Sequence, residues 1–271
     1  MESLKRLDDI KEISKKLEFA QMNILIMTAT ITPPLGAPGL LRIDPKIRLS
    51  DYEKALSYYV KALGKIIDKI IFAENSNSNI ENLREIVLAA GKEFDVEFIV
   101  YDGMDHPPSY GRCYSESKLL DYVMSNSEIA AFAGQNDFFW KITGRYSLLN
   151  LRSMIESRPS CIFYCDLRRF PSPWADMRFM GWTKAGYQSV YNNIAQHIRE
   201  DINGGRPGEE TLYKRLQGSY KSLDGFAAVL AREPLFDGVR AYDNKNWSKG
   251  RQWLVFVIRQ MQRLLFRQIF F

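Results

Sequence analysis

Arg145 is the cation best placed to do chemistry in this sequence. It follows the apolar run Phe138-Phe139-Trp140-Lys141-Ile142-Thr143 and sits between Gly144 and Tyr146. A guanidinium at the end of a buried strand suits a phosphate or carboxylate, because its fork of donors matches two oxygens at once. Lys141, Thr143, Gly144 and Tyr146 share that segment and are read with it as ligand-binding positions. Three earlier apolar runs also end in small polar or acidic residues: Thr28, then Glu74-Asn75-Ser76, then Asp102. Such tips supply acceptors for ribose hydroxyls and amides for a base. Arg42 and Arg48 flank Asp44 in one loop, an arrangement able to hold a diphosphate. Lys118 and Arg112 fall near an expected helix start, where free backbone N–H groups favour an anion. Glu209 and Glu210 follow a glycine-rich loop, and either is a candidate to deprotonate a hydroxyl nucleophile. Asp166 is the third candidate base.

The elements that must position these groups are read from periodicity and turn signals. Residues 4 to 19 have helical spacing. A strand over 23–30 is almost continuously apolar, as in a sheet covered on both faces. Ser50 with Glu53 reads as a capping box starting a helix that runs to about Leu63. Strands are expected over 66–73 and 96–101, with a helix between them over 79–90 that stops at Gly91. A helix over about 115–124 precedes the Arg145 strand. A short helix over 149–156, strands over 161–165 and 178–182, and helices over 185–198 and 209–216 follow. Strands and helices alternating in this way predict βαβ units and a mainly parallel sheet. Ligands then bind just beyond the strand ends.

Bulk properties narrow the class. The chain has 271 residues, 46% of them hydrophobic and 25% charged, which suits a folded body with a sizeable core. Net charge is +5, and its excess sits at one end: residues 245–271 hold six basic side chains and no acidic one. That concentration, in an apolar tail without stacking platforms, argues against a nucleic-acid partner. The tail over 247–271 reads instead as a basic amphipathic helix on an anionic membrane surface. Three cysteines without a CxxC pair, and only two histidines, suggest neither a disulfide framework nor a zinc cluster. The N-terminus lacks an apolar signal core, so the expected location is cytoplasmic, peripheral at the inner face of the cytoplasmic membrane. No GxGxxG or GxxxxGK[ST] pattern is present.

The strand-tip order, the YGRCYSESK helix start, the FFWKITGRY strand and the CDLRRF strand resemble bacterial cell-surface polysaccharide glycosyltransferases of the GT-A type. The likeness spans roughly residues 22 to 220 and is carried mainly by an ITGRY-like segment found in O-antigen and capsule transferases. It implies an α/β fold, GT-A-like and Rossmann-type, with a mainly parallel sheet flanked by helices and a C-terminal amphipathic helix. It also implies one catalytic domain over 1–244, with a donor half over about 20–146 and an acceptor half over about 147–244, and the basic helix over 245–271. The implied activity is an inverting, hexosyl-transferring glycosyltransferase for O-antigen, capsule or lipopolysaccharide synthesis. Its partners would be a nucleotide-sugar donor and a glycan or lipid-linked acceptor. The Asp-X-Asp metal motif typical of such enzymes is missing, with Thr143-Gly144-Arg145-Tyr146 in its place. This implies no required cofactor, manganese or magnesium remaining compatible, and charge supplied by Arg145 and Lys141. Two alternatives stand beside it. In one the donor is a CMP-activated acidic sugar whose carboxylate meets Arg145. The other is a non-catalytic membrane adaptor retaining a sugar-nucleotide fold.

Overall fold

The computed structural model describes residues 21–36, 39–170 and 172–265. The expected helix over 4–19 and the last six residues of the expected C-terminal helix lie outside them.

The first half is built by repetition of strand and helix. Strand β1 (Asn23–Ala29) leads to helix α1 (Pro45–Val60), then β2 (Lys69–Glu74), α2 (Glu81–Ala89) and β3 (Val96–Val100). Both β1–β2 and β2–β3 pair in parallel. The chain then returns through α3 (Arg112–Asn126) and α4 (Glu128–Phe132) to β4 (Phe138–Thr143), which pairs in parallel with the other side of β1. The remaining strands are short: β5 (Ser147–Leu148), β6 (Phe163–Tyr164), β7 (Leu167–Arg168), β8 (Trp174–Ala175) and β9 (Phe179–Trp182), with helix α5 (Leu151–Glu156) after β5. Helix α6 (Gly208–Ser222), strands β10 (Phe226–Ala227) and β11 (Phe236–Asp237) and helix α7 (Arg251–Leu265) complete the chain. The main sheet has seven strands in the order β10-β6-β9-β4-β1-β2-β3. Only β9 runs against its neighbours. The mainly parallel α/β sheet flanked by helices, expected from the alternation, is what the chain forms.

The apolar continuity of β1 has a direct cause. Leu25 and Met27 face a core shared with Tyr52, Leu56 and Tyr59 of α1 and with Leu83 and Val87 of α2. Ile24 and Ile26 face the opposite core, with Leu119, Leu120 and Val123 of α3 and Leu212 and Leu216 of α6. Both faces being covered, no position can be polar without an internal partner.

Several expected boundaries are corrected. Helix α1 starts at Pro45, not at Ser50. Asp44 is its N-cap, accepting from Lys46 N at 2.8 Å and Ile47 N at 3.4 Å, and Pro45 takes a position whose N–H needs no partner. Strand β2 starts at Lys69 because Ile67 is held in a tight turn against Leu63. The helix expected over 185–198 is broken into a single turn at Lys184–Gly186, a π-turn over Tyr187–Tyr191 and a 3₁₀ turn over Ile194–His197. Asn193, at φ 59°, interrupts the helical path between the last two.

Candidate active site

Parallel strands β1 and β4 are adjacent, but their crossovers lead away in opposite directions across the sheet. That is a topological switch point, where an open sheet leaves a crevice beyond its strand ends. A cleft of about 780 Å³ opens there. Its size suits a small organic ligand. Thr28, Ala29 and Thr30 line it from the end of β1 and just beyond, and Thr143, Arg145 and Tyr146 from the end of β4 and the turn after it. Helix α1 adds Arg48 and Tyr52; α3 adds Arg112, Cys113 and Glu116; α6 adds Glu209; α7 adds Gln252, Val255 and Arg259.

The Arg145 turn is set by backbone geometry. Tyr146 N donates to Thr143 O at 3.0 Å, and Gly144 N donates to Thr28 O at 2.9 Å. A Cβ on Gly144 would lie 2.8 Å from that same carbonyl oxygen, so a side chain there would push β4 away from β1. Gly144→Ala is expected to cost about 1–3 kcal/mol, the usual penalty of overpacking a close contact, measured by urea unfolding.

Two guanidiniums dominate the cleft floor. Arg145 is 6% exposed and Arg48 is 5% exposed. Arg48 donates to Thr30 O at 2.7 Å, Arg42 O at 3.1 Å and the Tyr52 hydroxyl at 3.3 Å, all neutral oxygens. Arg145 donates to Val239 O at 3.1 Å and reaches Asp51 only at 3.7 Å. Asp51 is already taken by the Arg42 fork, at 2.6 and 2.7 Å. Burial lowers the Arg48 pKa, and the nearby Arg145 charge lowers it further. Two neighbouring buried cations with so little compensating negative charge are costly unless an anion joins them. The polar groups left unpaired agree with this. Arg145 Nε, His106 Nδ1 and Trp247 Nε1 are all buried without a hydrogen-bond partner among the described residues, and all three residues line the cleft.

The carboxylates have distinct environments. Glu209 is the first acidic residue of α6, and Gly208 beside it lets the helix start press against α3: a Cβ there would be 2.4 Å from Cys113 Cβ. The Cys113 thiol hydrogen-bonds Glu209, and burial raises the Glu209 pKa above the ordinary glutamate range. Glu116 accepts from Thr28 Oγ1 at 2.5 Å and pairs with Lys141 Nζ at 2.6 Å. Below the cleft, Arg168 and Arg178 converge on Asp176, and Arg168 also donates to Asp166 at 2.6 Å. Arg263 binds Asp166 at 2.8 and 2.9 Å and Glu233 at 2.7 Å. Four arginines (Arg168, Arg178, Arg259 and Arg263) thus meet three carboxylates (Asp166, Asp176 and Glu233). The lattice therefore presents surplus positive charge to the cleft through Arg168, Arg178 and Arg259.

The sequence-predicted site residues divide clearly. Thr28, Thr143, Arg145, Tyr146 and Glu209 line the cleft together. Asp166 does not, and cannot act as a base: it is fully buried and both its oxygens are held by arginines. Glu210, one residue from Glu209, does not line the cleft. Lys141 is fully buried under Glu116 and spends its charge there, so it meets no donor phosphate directly. Lys118 pairs with Asp105 outside the cleft. Arg42 is committed to Asp51. Glu74 is fully buried and organises its own loop, accepting from Ile31 N at 2.9 Å, Ser76 N at 3.0 Å and Ser78 N at 3.1 Å. Asn75 accepts from the Thr30 hydroxyl at 2.7 Å. Ser76 bridges to Asp102, whose carboxylate caps the Met104 N–H at 3.4 Å. These tips shape the rim without facing the ligand space. Arg178, Asp176, Glu116, His106 and Trp247 were missed. One signal was present: Asp166-x-Arg168 and Asp176-x-Arg178 repeat the same alternation, beside the two short paired strands β7 and β8.

Among the described residues, no group of three or more His, Cys, Asp or Glu side chains is placed to hold a metal ion.

No family model matches the chain, and no curated protein matches it. Solved structures do match. One is a 4-diphosphocytidyl-2C-methyl-D-erythritol synthase, 8% identical, covering 89% of this chain and 99% of its own, with a TM-score of 0.42. A second is described as a nucleotide-diphospho-sugar transferase from Desulfovibrio desulfuricans, 8% identical over 92% of this chain and 98% of its own, with a TM-score of 0.45. A third is a cytidylyltransferase from Leptospira borgpetersenii, 11% identical over 68% of this chain and 73% of its own, with a TM-score of 0.35. None of the three is described as a surface-polysaccharide glycosyltransferase, and two are named for cytidylyl chemistry. The expected transfer of a sugar to a lipid-linked or growing O-antigen or capsule chain is corrected accordingly.

Proposed function

We propose that this chain is a transferase whose cleft holds an acidic sugar activated as its cytidine monophosphate ester. The observation that carries the reading is the Arg48–Arg145 pair: two buried guanidiniums at the switch point, which among the described residues have, respectively, no carboxylate partner and only a distant, shared one. Such a donor brings two separate anions, a phosphate diester and a sugar carboxylate. Each matches one planar fork.

The chemistry follows from the lining. The bond between the anomeric carbon and the phosphate oxygen breaks, and its electron pair stays with departing CMP. Arg48 and Arg145, with Arg178 and Arg168 behind them, stabilise the charge developing there; preorganised groups of this kind usually supply the largest catalytic contribution. Glu209 takes the proton of the acceptor hydroxyl as the new carbon–oxygen bond forms. Glu116, fixed by Lys141 and Thr28, is an acceptor for a sugar or ribose hydroxyl.

A calorimetric panel of UDP-, GDP-, dTDP- and CMP-sugars, with and without manganese, tests the proposal. The CMP-linked acidic sugar should bind best. Arg145→Ala should weaken it roughly 10- to 100-fold, the worth of a charge-assisted hydrogen-bond pair. Tighter binding of a neutral UDP-hexose, or unchanged affinity in Arg145→Ala, would overturn the assignment.

A further inference from the structure

Helix α7 is rolled the opposite way from an ordinary surface helix. Two of its three arginines face inward: Arg263 is 2% exposed and pairs with Asp166 and Glu233, and Arg259 lines the cleft and reaches Glu233 at 3.6 Å. Its apolar residues face outward. Trp253, Leu254, Ile258, Met261, Leu264 and Leu265 are each 48–65% exposed and recur at helical spacing along one stripe. The Arg263 ion pairs clamp the helix at this rotation, so it cannot turn to bury that stripe against its own domain. Of the basic amphipathic helix expected over 247–271, the described part starts at Arg251 and turns its apolar stripe outward, and Trp247 belongs to the cleft.

We infer that this face docks on a leaflet of anionic phospholipid, independently of what the cleft binds. Charge decides between lipid and a second copy of the chain. Residues 245–265 carry five basic side chains and no carboxylate. Of these, Lys245, Lys249 and Arg251 are exposed at the start of the stripe. Two such helices packed on each other would bring like charges together, whereas acidic headgroups neutralise them while the stripe enters the acyl boundary. Among the described residues no helix is long and apolar enough to cross a membrane, so α7 lies along the surface. Gln252, Val255 and Arg259 on its inner side wall the cleft, so docking holds the cleft beside the lipid.

The test is co-sedimentation of the full chain with vesicles of phosphatidylcholine alone and of phosphatidylcholine mixed with phosphatidylglycerol. Binding to the mixed vesicles should be strong and should weaken with salt, with little binding to phosphatidylcholine alone. Leu254→Asp with Ile258→Asp should lower the partition coefficient roughly 100-fold, because each removes a large apolar contact. Circular dichroism and the unfolding midpoint should stay unchanged, since both side chains are exposed. Vesicles should shift the tryptophan emission to the blue, and less so in Trp253→Phe. Failure to bind mixed vesicles, or equal binding by the double variant, would overturn the inference. So would light scattering that shows a dimer which the double variant dissolves.

Discussion

Glu209→Gln is expected to lower kcat by about 10²–10⁴-fold in a transfer or donor-hydrolysis assay with the CMP-linked acidic sugar, with little change in donor affinity. The size follows from removing a carboxylate placed both on the cleft wall and at a helix start. The pH profile supplies the sharper test. Burial holds the Glu209 pKa above the usual glutamate value of 4.5. Only the ionised form accepts a proton, so turnover should rise with pH through a midpoint above that value. This limb should vanish in Glu209→Gln. The stability sign is the reverse. A carboxyl whose folded pKa is raised favours the native state at low pH and loses that advantage as pH rises through the folded value. Glu209→Gln should therefore be no less stable than wild type at neutral pH. Glu210→Gln, altering a carboxylate off the cleft, should leave kcat within about three-fold, well inside the effect of losing a positioned base. Near-full turnover in Glu209→Gln would remove this residue from the mechanism.

Arg263→Met should destabilise the fold by about 3–5 kcal/mol, measured by urea unfolding, because it leaves buried Asp166 with Arg168 alone and Glu233 with Arg259 alone. Both Asp166 oxygens are spoken for in the native state, so the lost partner cannot be replaced by water without opening the lattice. The acid dependence carries a defined sign. Burial alone would raise the pKa of Asp166, but Arg263 and Arg168 outweigh it and hold the carboxyl below the ordinary range. Asp176 is held low in the same way by Arg178 and Arg168. Carboxyls with depressed folded pKa values contribute stability above the unfolded value of about 3.9, and that stability is lost as pH falls through the folded values. Wild type should therefore lose stability steeply below about pH 4, and Arg263→Met less so, its Asp166 contribution being reduced to what Arg168 supplies. A cost under 1 kcal/mol would mean that the cluster is solvated after all.

How far local pattern reaches is visible in single residues. The FFWKITGRY run specifies a buried strand ending in a cation, because its apolar continuity demands cover on both faces and Gly144 permits the close approach to Thr28. The Glu74-Asn75-Ser76 tip looks equally functional from sequence. In three dimensions it turns inward, because three backbone N–H groups of its own and neighbouring loops need the Glu74 carboxylate. The same letters serve turns and ligands, and only the hydrogen-bond inventory separates them. Asp166 and the α7 arginines mislead for the complementary reason. A charge run without nearby acids in sequence reads as unpaired, while its partners lie 97 and 30 residues away.

Periodicity and composition alone, then, determined the α/β alternation, the strand that carries Arg145, the helix start that carries Glu209 and the apolar character of α7, because each depends on neighbours within a few residues. Tertiary structure decided which charges were already spent: Lys141 on Glu116, Arg42 on Asp51, Arg263 on Asp166, with Arg48 and Arg145 left to share a buried cleft. Electrostatic pairing acts through space at a few ångströms, and chain order places no limit on which residues meet there.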